Sequence, residues 1–253
     1  MSDEPLAVTL ERHRVTGWID TQFKDVHRKI RMLANGDPSV QFGLGLLLPT
    51  TVEEMVDALS RLAGWDYSGG AGEGGRSYVS PEGAVSQIER AAERMRIACE
   101  RSERVFFGTG HPTGPLEMYA HLADALEERG CQIQRVAEGQ SFDGYIGGGR
   151  ISYICDIGCV SMSGDVIHTH SAKPMEFLLA SGLEAELVIG DHGFCGAALT
   201  NGSDAVAVVD TNDPALVLAW ARGLPVLPIL CDDNRDASAY REMTDFIIDR
   251  LDG

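Results

Sequence analysis

Leu187-Val188-Ile189-Gly190-Asp191-His192-Gly193 is a short apolar run that ends in an aspartate and a histidine between glycines. An apolar run closed by a polar turn reads as a buried strand, and the pattern recurs through the second half of the chain. Val105-Phe106-Phe107 leads into Gly108-Thr109-Gly110-His111, Ala205 to Val209 into Asp210-Thr211-Asn212-Asp213, and Val226 to Leu230 into Cys231-Asp232-Asp233. Helical stretches fall between them: Pro115 to Arg129 stopped by Gly130, one opened by Pro174, one started at Asp213-Pro214, and a last one from Ala237 to Leu251. Repeated strand, turn and helix units predict an α/β fold, a three-layer, mostly parallel Rossmann-like sheet with helices on both faces. Loops leaving the carboxyl ends of such strands converge on one crevice. The polar clusters, together with His168-Thr169-His170-Ser171, are therefore expected to share a site.

The division expected is a helical amino-terminal region, residues 1–100, packed on an α/β catalytic core of residues 101–253. In the first part Thr50 and Thr51 precede Glu53 and Glu54 at capping-box spacing, ahead of an apolar stripe of Val52, Met55, Val56, Leu59 and Leu62. Ser80-Pro81 opens another helix running towards Cys99. Gly69 to Arg76 is glycine-rich but lacks the phosphate-loop pattern, so it reads as a surface loop, with Arg76 as an anion contact if it closes over a ligand. In the core, Cys131 to Val136 is the next strand, and Gly147-Gly148-Gly149 between Tyr145-Ile146 and Arg150 to Val160 suggests a hairpin or an excursion from the sheet.

With 21 basic against 38 acidic residues, the 253-residue chain carries a formal charge of −17. Such a field repels nucleic-acid phosphates and anionic membranes, which argues against both as partners; a small anionic substrate then requires a locally positive site. Self-association is left open. Lysine occurs only as Lys24, Lys29 and Lys173, the last three positions after His170. The six cysteines show no CxxC pairing and read as buried, reduced thiols. The start has no basic segment followed by an apolar stretch, and no run reaches transmembrane length, so a cytoplasmic location is expected.

The clusters carry distinct chemistry. Gly108, Thr109 and Gly110 have the make-up of a phosphate cradle, but the absence of GxGxxG excludes a nicotinamide dinucleotide. His111 is either a proton donor to a leaving oxygen or a turn histidine. His168 and His170 alternate along an extended segment and so share a face, a common basis for a divalent-metal site completed by Asp191, His192 or Asp210. Alternatively His170, Ser171 and Lys173 hold a phosphate directly. Asp191 at a strand end suits a magnesium or manganese ion. It also resembles the late acidic loop of haloacid-dehalogenase phosphatases, yet no Asp-x-Asp-x-Thr segment precedes it. Asp213 reads as a helix cap, and Asp232 and Asp233 as a solvated turn.

The ordered succession of Phe107 to Pro112, His168 to Ser171, Val188 to Gly193, Asp210 to Leu216 and Asp232-Asp233 resembles a bacterial family, frequent in actinobacteria, whose members carry the generic label phosphatase. The resemblance implies hydrolysis of a small phosphomonoester, a nucleoside monophosphate or a sugar phosphate, assisted by magnesium or manganese, with zinc as the other choice. In that mechanism Asp191 and some of His168, His170 and Asp210 hold the cation, the Gly108 to Gly110 amides and Lys173 hold phosphate oxygens, and His111 or His192 handles protons. No serine or cysteine sits in a GxSxG context, which favours direct attack by water. Two other readings stand beside it: a non-catalytic module binding a nucleotide or sugar phosphate, and an isomerase or transferase using the phosphate as a handle.

Overall fold

Successive residues along the central strands enter two different cores. Val105 and Phe107 pack in one and Phe106 in the other; Leu187 and Ile189 oppose Val188, and Val206 and Val208 oppose Ala205, Ala207 and Val209. Since neighbouring side chains on a strand point to opposite faces, the sheet is buried on both sides. The computed structural model describes residues 4–69, 73–143 and 149–252. In chain order the elements are α1 (Leu6–Arg12), β1 (Gly17–Gln22), α2 (Phe23–Ala34), α3 (Val52–Ala63), β2 (Arg76–Val79), α4 (Pro81–Arg101) and β3 (Arg104–Gly108). There follow α5 (Leu116–Glu128), β4 (Gln132–Ile133), β5 (Ser141–Phe142), β6 (Gly149–Ile154), β7 (Ile157–Met162), β8 (Asp165–Val166) and α6 (Lys173–Ala180). The chain then runs through β9 (Leu187–Asp191), α7 (His192–Thr200), β10 (Asp204–Val209), α8 (Pro214–Ala221), β11 (Val226–Leu230) and α9 (Arg241–Asp249).

The sheet runs β11-β10-β9-β3-β7-β6-β5, with β4 also beside β3 and β8 beside β7. Strands β11, β10, β9, β3 and β4 are mutually parallel, as the α/β reading requires. Helices α2, α3, α6, α7 and α8 fill one face, and α1, α4, α5 and α9 the other. The chain leaves β3 towards β4 and β7 and returns on its opposite side as β9. The crevice between β3 and β9 is thus the topological switch point where open α/β sheets place ligands.

The expected excursion exists, but its turn lies elsewhere. Strands β6 and β7 form an antiparallel hairpin from Ile154↔Ile157 to Arg150↔Ser161. Cys155 and Asp156 make the turn at φ 47° and 66°, the paired left-handed conformation of tight hairpins. The sequence hides it because neither residue is the glycine or asparagine such turns favour. Tyr145 to Gly148 and Gly70 to Gly72 lie outside the described residues.

The first hundred residues are not wholly helical. Strands β1 and β2 pair antiparallel as a separate ribbon, and β1 is tied to the end of β11: the Asp20 amide donates to Asp232 Oδ2 at 2.9 Å and the Asp232 amide to the Val15 carbonyl at 2.9 Å. The expected helix starts are present, Thr51 Oγ1 accepting from the Glu54 amide and Ser80 Oγ from that of Gly83. The Glu54 carboxylate also accepts from Thr50 and pairs with Arg222. All six cysteines are free, but Cys155 is exposed and Cys99 half-buried, correcting the uniform burial expected. No helix among the described residues is long and apolar enough to cross a membrane.

Candidate active site at the carboxyl ends of the sheet

Strand β9 delivers Asp191 and His192 to the switch point. His192, the first residue of α7, adopts φ 41°, a left-handed conformation unusual for a side-chain-bearing residue and characteristic of functional strand-to-helix junctions. Asp191 is fully buried. Its Oδ1 accepts from the Gly110 amide at 2.7 Å, and its Oδ2 accepts from the hydroxyls of Thr109 at 2.5 Å and Tyr119 at 3.3 Å. His192 Nδ1 stands 3.2 Å from Asp191 Oδ1, while Nε2 is 3.5 Å from both Asp213 Oδ2 and Asp233 Oδ2. Burial opposes the imidazolium, but Asp213 and Asp191 overcome it and raise the His192 pKa well above the ordinary histidine value. Burial also resists the Asp191 anion, yet His192, Thr109 and the Gly110 amide hold its pKa below the usual carboxylate range.

Four imidazoles meet here. His170 stacks on His192 with centroids 4.1 Å apart, His111 on His168 at 4.4 Å, and the Nε2 atoms of His168 and His170 are 2.9 Å apart. Burial, with the charges of His192 and Lys29, pushes His170 down to about 3; burial and the charges of His111 and His192 lower His168. Both are thus neutral rings near pH 7. His111 goes the other way: burial lowers its pKa, but Asp233 and Asp191 outweigh that and raise it. Its Nε2 is 3.3 Å from Asn234 Oδ1; its Nδ1 is 3.3 Å from Asp233 Oδ2, close enough for an ion pair but out of line for a hydrogen bond.

A carboxylate cluster completes the floor. Asp210 accepts from the hydroxyls of Thr21 at 2.5 Å and Thr211 at 2.9 Å; burial and then Asp233, Asp232 and Asp213 raise its pKa well above the usual carboxylate value. Asp213 stands at the N-cap position of α8, but caps nothing. Its Oδ2 takes the Asp210 amide at 3.1 Å and faces His192, and its Oδ1 is buried without a hydrogen-bond partner. Asp232 and Asp233 are likewise 2% and 5% exposed rather than a solvated turn.

The histidines and part of the carboxylate cluster border a cleft of about 310 Å³. The four histidines, Asp210, Asp233, Asn212 and Asn234 form its floor, and Thr21, Asp25, Arg28 and Lys29 from β1 and α2 form its other wall. That second wall was missed. Its trace in the sequence is the helical spacing of Asp25, Arg28 and Lys29, opposite the buried stripe Val26, Ile30 and Leu33.

Other expected site residues lie apart from the cleft lining. The Gly110 amide is engaged by Asp191, the His111 amide by Thr109 Oγ1 and the Thr109 amide by the Gly158 carbonyl, so no phosphate cradle is presented there. The glycines serve close packing instead: a Cβ on Gly108 would sit 2.6 Å from the Phe106 and Phe194 rings, and one on Gly110 1.9 Å from the Thr169 carbonyl oxygen. Ser171 Oγ accepts from the Lys173 amide, and Lys173 lines a different surface cavity with Ser141, Phe142, Asp143, Glu176 and Phe177. Arg76 pairs with Asp20 at 3.8 Å. Asp191, expected as a metal ligand, sits beneath the histidines with its oxygens taken up by the donors of Thr109, Gly110 and Tyr119 and with Oδ1 against the His192 ring.

The donors fit a divalent cation. His111, His168 and His192 form one group, and His170, His192 and Asp213 another, in each of which one ligand atom per residue lies within 4.8 Å of the others. His168 and His170 are neutral rings that offer lone pairs, Asp213 Oδ1 is buried without a partner, and His192, common to both groups, would join them on giving up its proton to the ion. Asp210, Asp232 and Asp233 make a third group, but the Asp210 and Asp232 oxygens already accept protein donors.

The family termed Phosphatase matches this chain over residues 1–253. A protein of Streptomyces coelicolor bearing the name phosphatase is 34% identical over 252 residues, 96% of this chain and 94% of that protein. No solved structure matches. The likeness extends through the amino-terminal region that supplies the second wall of the cleft. The chain belongs to the Phosphatase family.

Proposed function

We propose that the chain hydrolyses small phosphomonoesters with the help of a divalent cation held by His170, His192 and Asp213, with His111 and His168 beside them. The observation that carries this reading is the gathering of four imidazoles, two of them held neutral, with His170 and His192 grouped with the buried Asp213, whose Oδ1 has no hydrogen-bond partner. The chemistry such an ion supplies is polarisation of a phosphoryl oxygen and a lowered pKa of bound water. A donor set rich in imidazole favours zinc or manganese over magnesium.

The residues divide the remaining work. Asp191, anchored by Thr109, Gly110 and Tyr119, fixes the His192 ring. His111, whose charge Asp233 and Asp191 favour, is the group placed to protonate a leaving oxygen. No serine or cysteine lines the cleft among the described residues, and the Thr21 hydroxyl donates to Asp210, which supports attack by water without a covalent intermediate. The test is metal content and turnover of a panel of phosphate esters for His170→Ala and Asp213→Asn. Both quantities should fall together; wild-type metal content and turnover in both variants would overturn the assignment.

A further inference from the structure

Among the described residues the cleft holds one side-chain cation without a carboxylate of its own. Lys29 projects from the middle of α2 into the wall facing the histidines, half-buried, and makes no hydrogen bond or ion pair with any described residue. Its neighbour Arg28 is engaged, lying 3.5 Å from Asp25 and donating to the Met32 sulfur. Lys29 is close enough for its charge to act on His170. In a chain of net charge −17 with only three lysines, an unpaired ammonium beside the chemical centre has no evident structural task. A lysine ammonium is a compact point charge well suited to phosphate oxygens. The rest of the lining carries a second message. Among the described residues every side chain bordering the cleft is polar, and Phe42, behind His170 and His192, is 1% exposed, so the only aromatic faces there are imidazoles already stacked on one another, and no phenyl or indole face is offered to a base. Small-molecule sites are ordinarily lined mostly by apolar and aromatic side chains, and nucleobases are usually gripped by aromatic stacking. Hydroxyl groups, by contrast, find partners in Asn212, Asn234 and Asp25.

We infer that Lys29 is the phosphate anchor of the cleft and that the ester it selects has a small polyhydroxylated body, a sugar or polyol phosphate rather than a nucleotide. This rests on the phosphatase reading for its reaction, but Lys29 can be tested without turnover. Binding of inorganic phosphate to the metal-supplemented protein is measured by calorimetry for the wild type, Lys29→Met, Lys29→Arg and Lys24→Met, the last removing an equal charge from the exposed start of α2. Lys29→Met should weaken binding by about tenfold or more, Lys29→Arg by less, and Lys24→Met hardly at all. Phosphate affinity unchanged in Lys29→Met, or lowered equally in Lys24→Met, overturns the anchor. In steady-state assays Lys29→Met should raise KM for a sugar phosphate far more than it lowers kcat. A higher kcat/KM for nucleoside monophosphates than for sugar and polyol phosphates overturns the assigned ester class. Absence of any hydrolysis would sink the phosphatase reading, while the phosphate titration would still decide Lys29.

Discussion

Asp191 and His192 are neighbours in sequence whose side chains turn back on each other, Oδ1 to Nδ1 at 3.2 Å, because His192 takes up a left-handed backbone at the start of α7. The contact places a buried carboxylate behind the ring and leaves Nε2 facing Asp213 and Asp233. Replacing Asp191 by asparagine keeps the shape and removes the charge that stabilises the imidazolium. Loss of such an orienting partner typically costs about 10- to 100-fold in activity or metal affinity, and that is the expected fall in kcat/KM for Asp191→Asn. The pH profile should also shift, since the cation must displace a proton from His192 and the ring loses one of the groups that raise its pKa. A profile and rate equal to wild type would show that Asp191 has no hold on His192.

Gly110 and Gly193 pin the loop carrying His168 and His170 by backbone contact. A Cβ on Gly110 would lie 1.9 Å from the Thr169 carbonyl oxygen, and one on Gly193 2.2 Å from that of Ser171. Neither neighbour is a flexible side-chain end, so the loop must move. Gly110→Ala is expected to destabilise the fold by about 1–3 kcal/mol, the usual cost of overpacking, and to lower turnover as well. Urea unfolding checks the first part; a wild-type midpoint would mean the loop yields freely.

His170 makes stability depend on pH in a defined direction. Its folded pKa of about 3 lies below the ordinary value of 6.5, so between these values the unfolded chain binds a proton that the folded chain refuses. Stability is therefore lost as pH falls through this window. Asp210, raised by burial and neighbouring carboxylates, acts oppositely, so the contrast to measure is between wild type and His170→Asn. In metal-free protein the variant should lose less stability than wild type between pH 6.5 and about 3, read from urea midpoints. Parallel curves would contradict the neutral His170.

Metal should stabilise the folded chain because its ligands come together only on folding. A chelator is expected to lower Tm, and added zinc or manganese at about 100 times Kd to restore about 2.7 kcal/mol. Asp213→Asn should blunt that response. A Tm indifferent to chelator and metal would count against the ligand set.

Much of the frame is local in origin. The runs at Val105, Leu187, Ala205 and Val226 became strands of the parallel sheet because short apolar segments between helices have few other ways to be buried on both faces. The hairpin turn at Cys155-Asp156 escaped because the conformation needed there is imposed by β6 and β7 rather than invited by its residues. The β1–β2 ribbon escaped for a related reason: its pairing joins segments far apart in sequence.

By itself the sequence determined the layered sheet and the gathering of His111, His168, His170, His192, Asp210 and Asp213 at its carboxyl ends, since strand ends and alternation are local properties. Tertiary structure alone decided what each polar group does there. Asp191 is buried among protein donors while Asp213 keeps a free oxygen, and Lys29 rather than Lys173 enters the cleft. The physical reason is that a charged group's role follows from which partners saturate it and which water it loses. Those partners come from strands and helices brought together only by the closed fold.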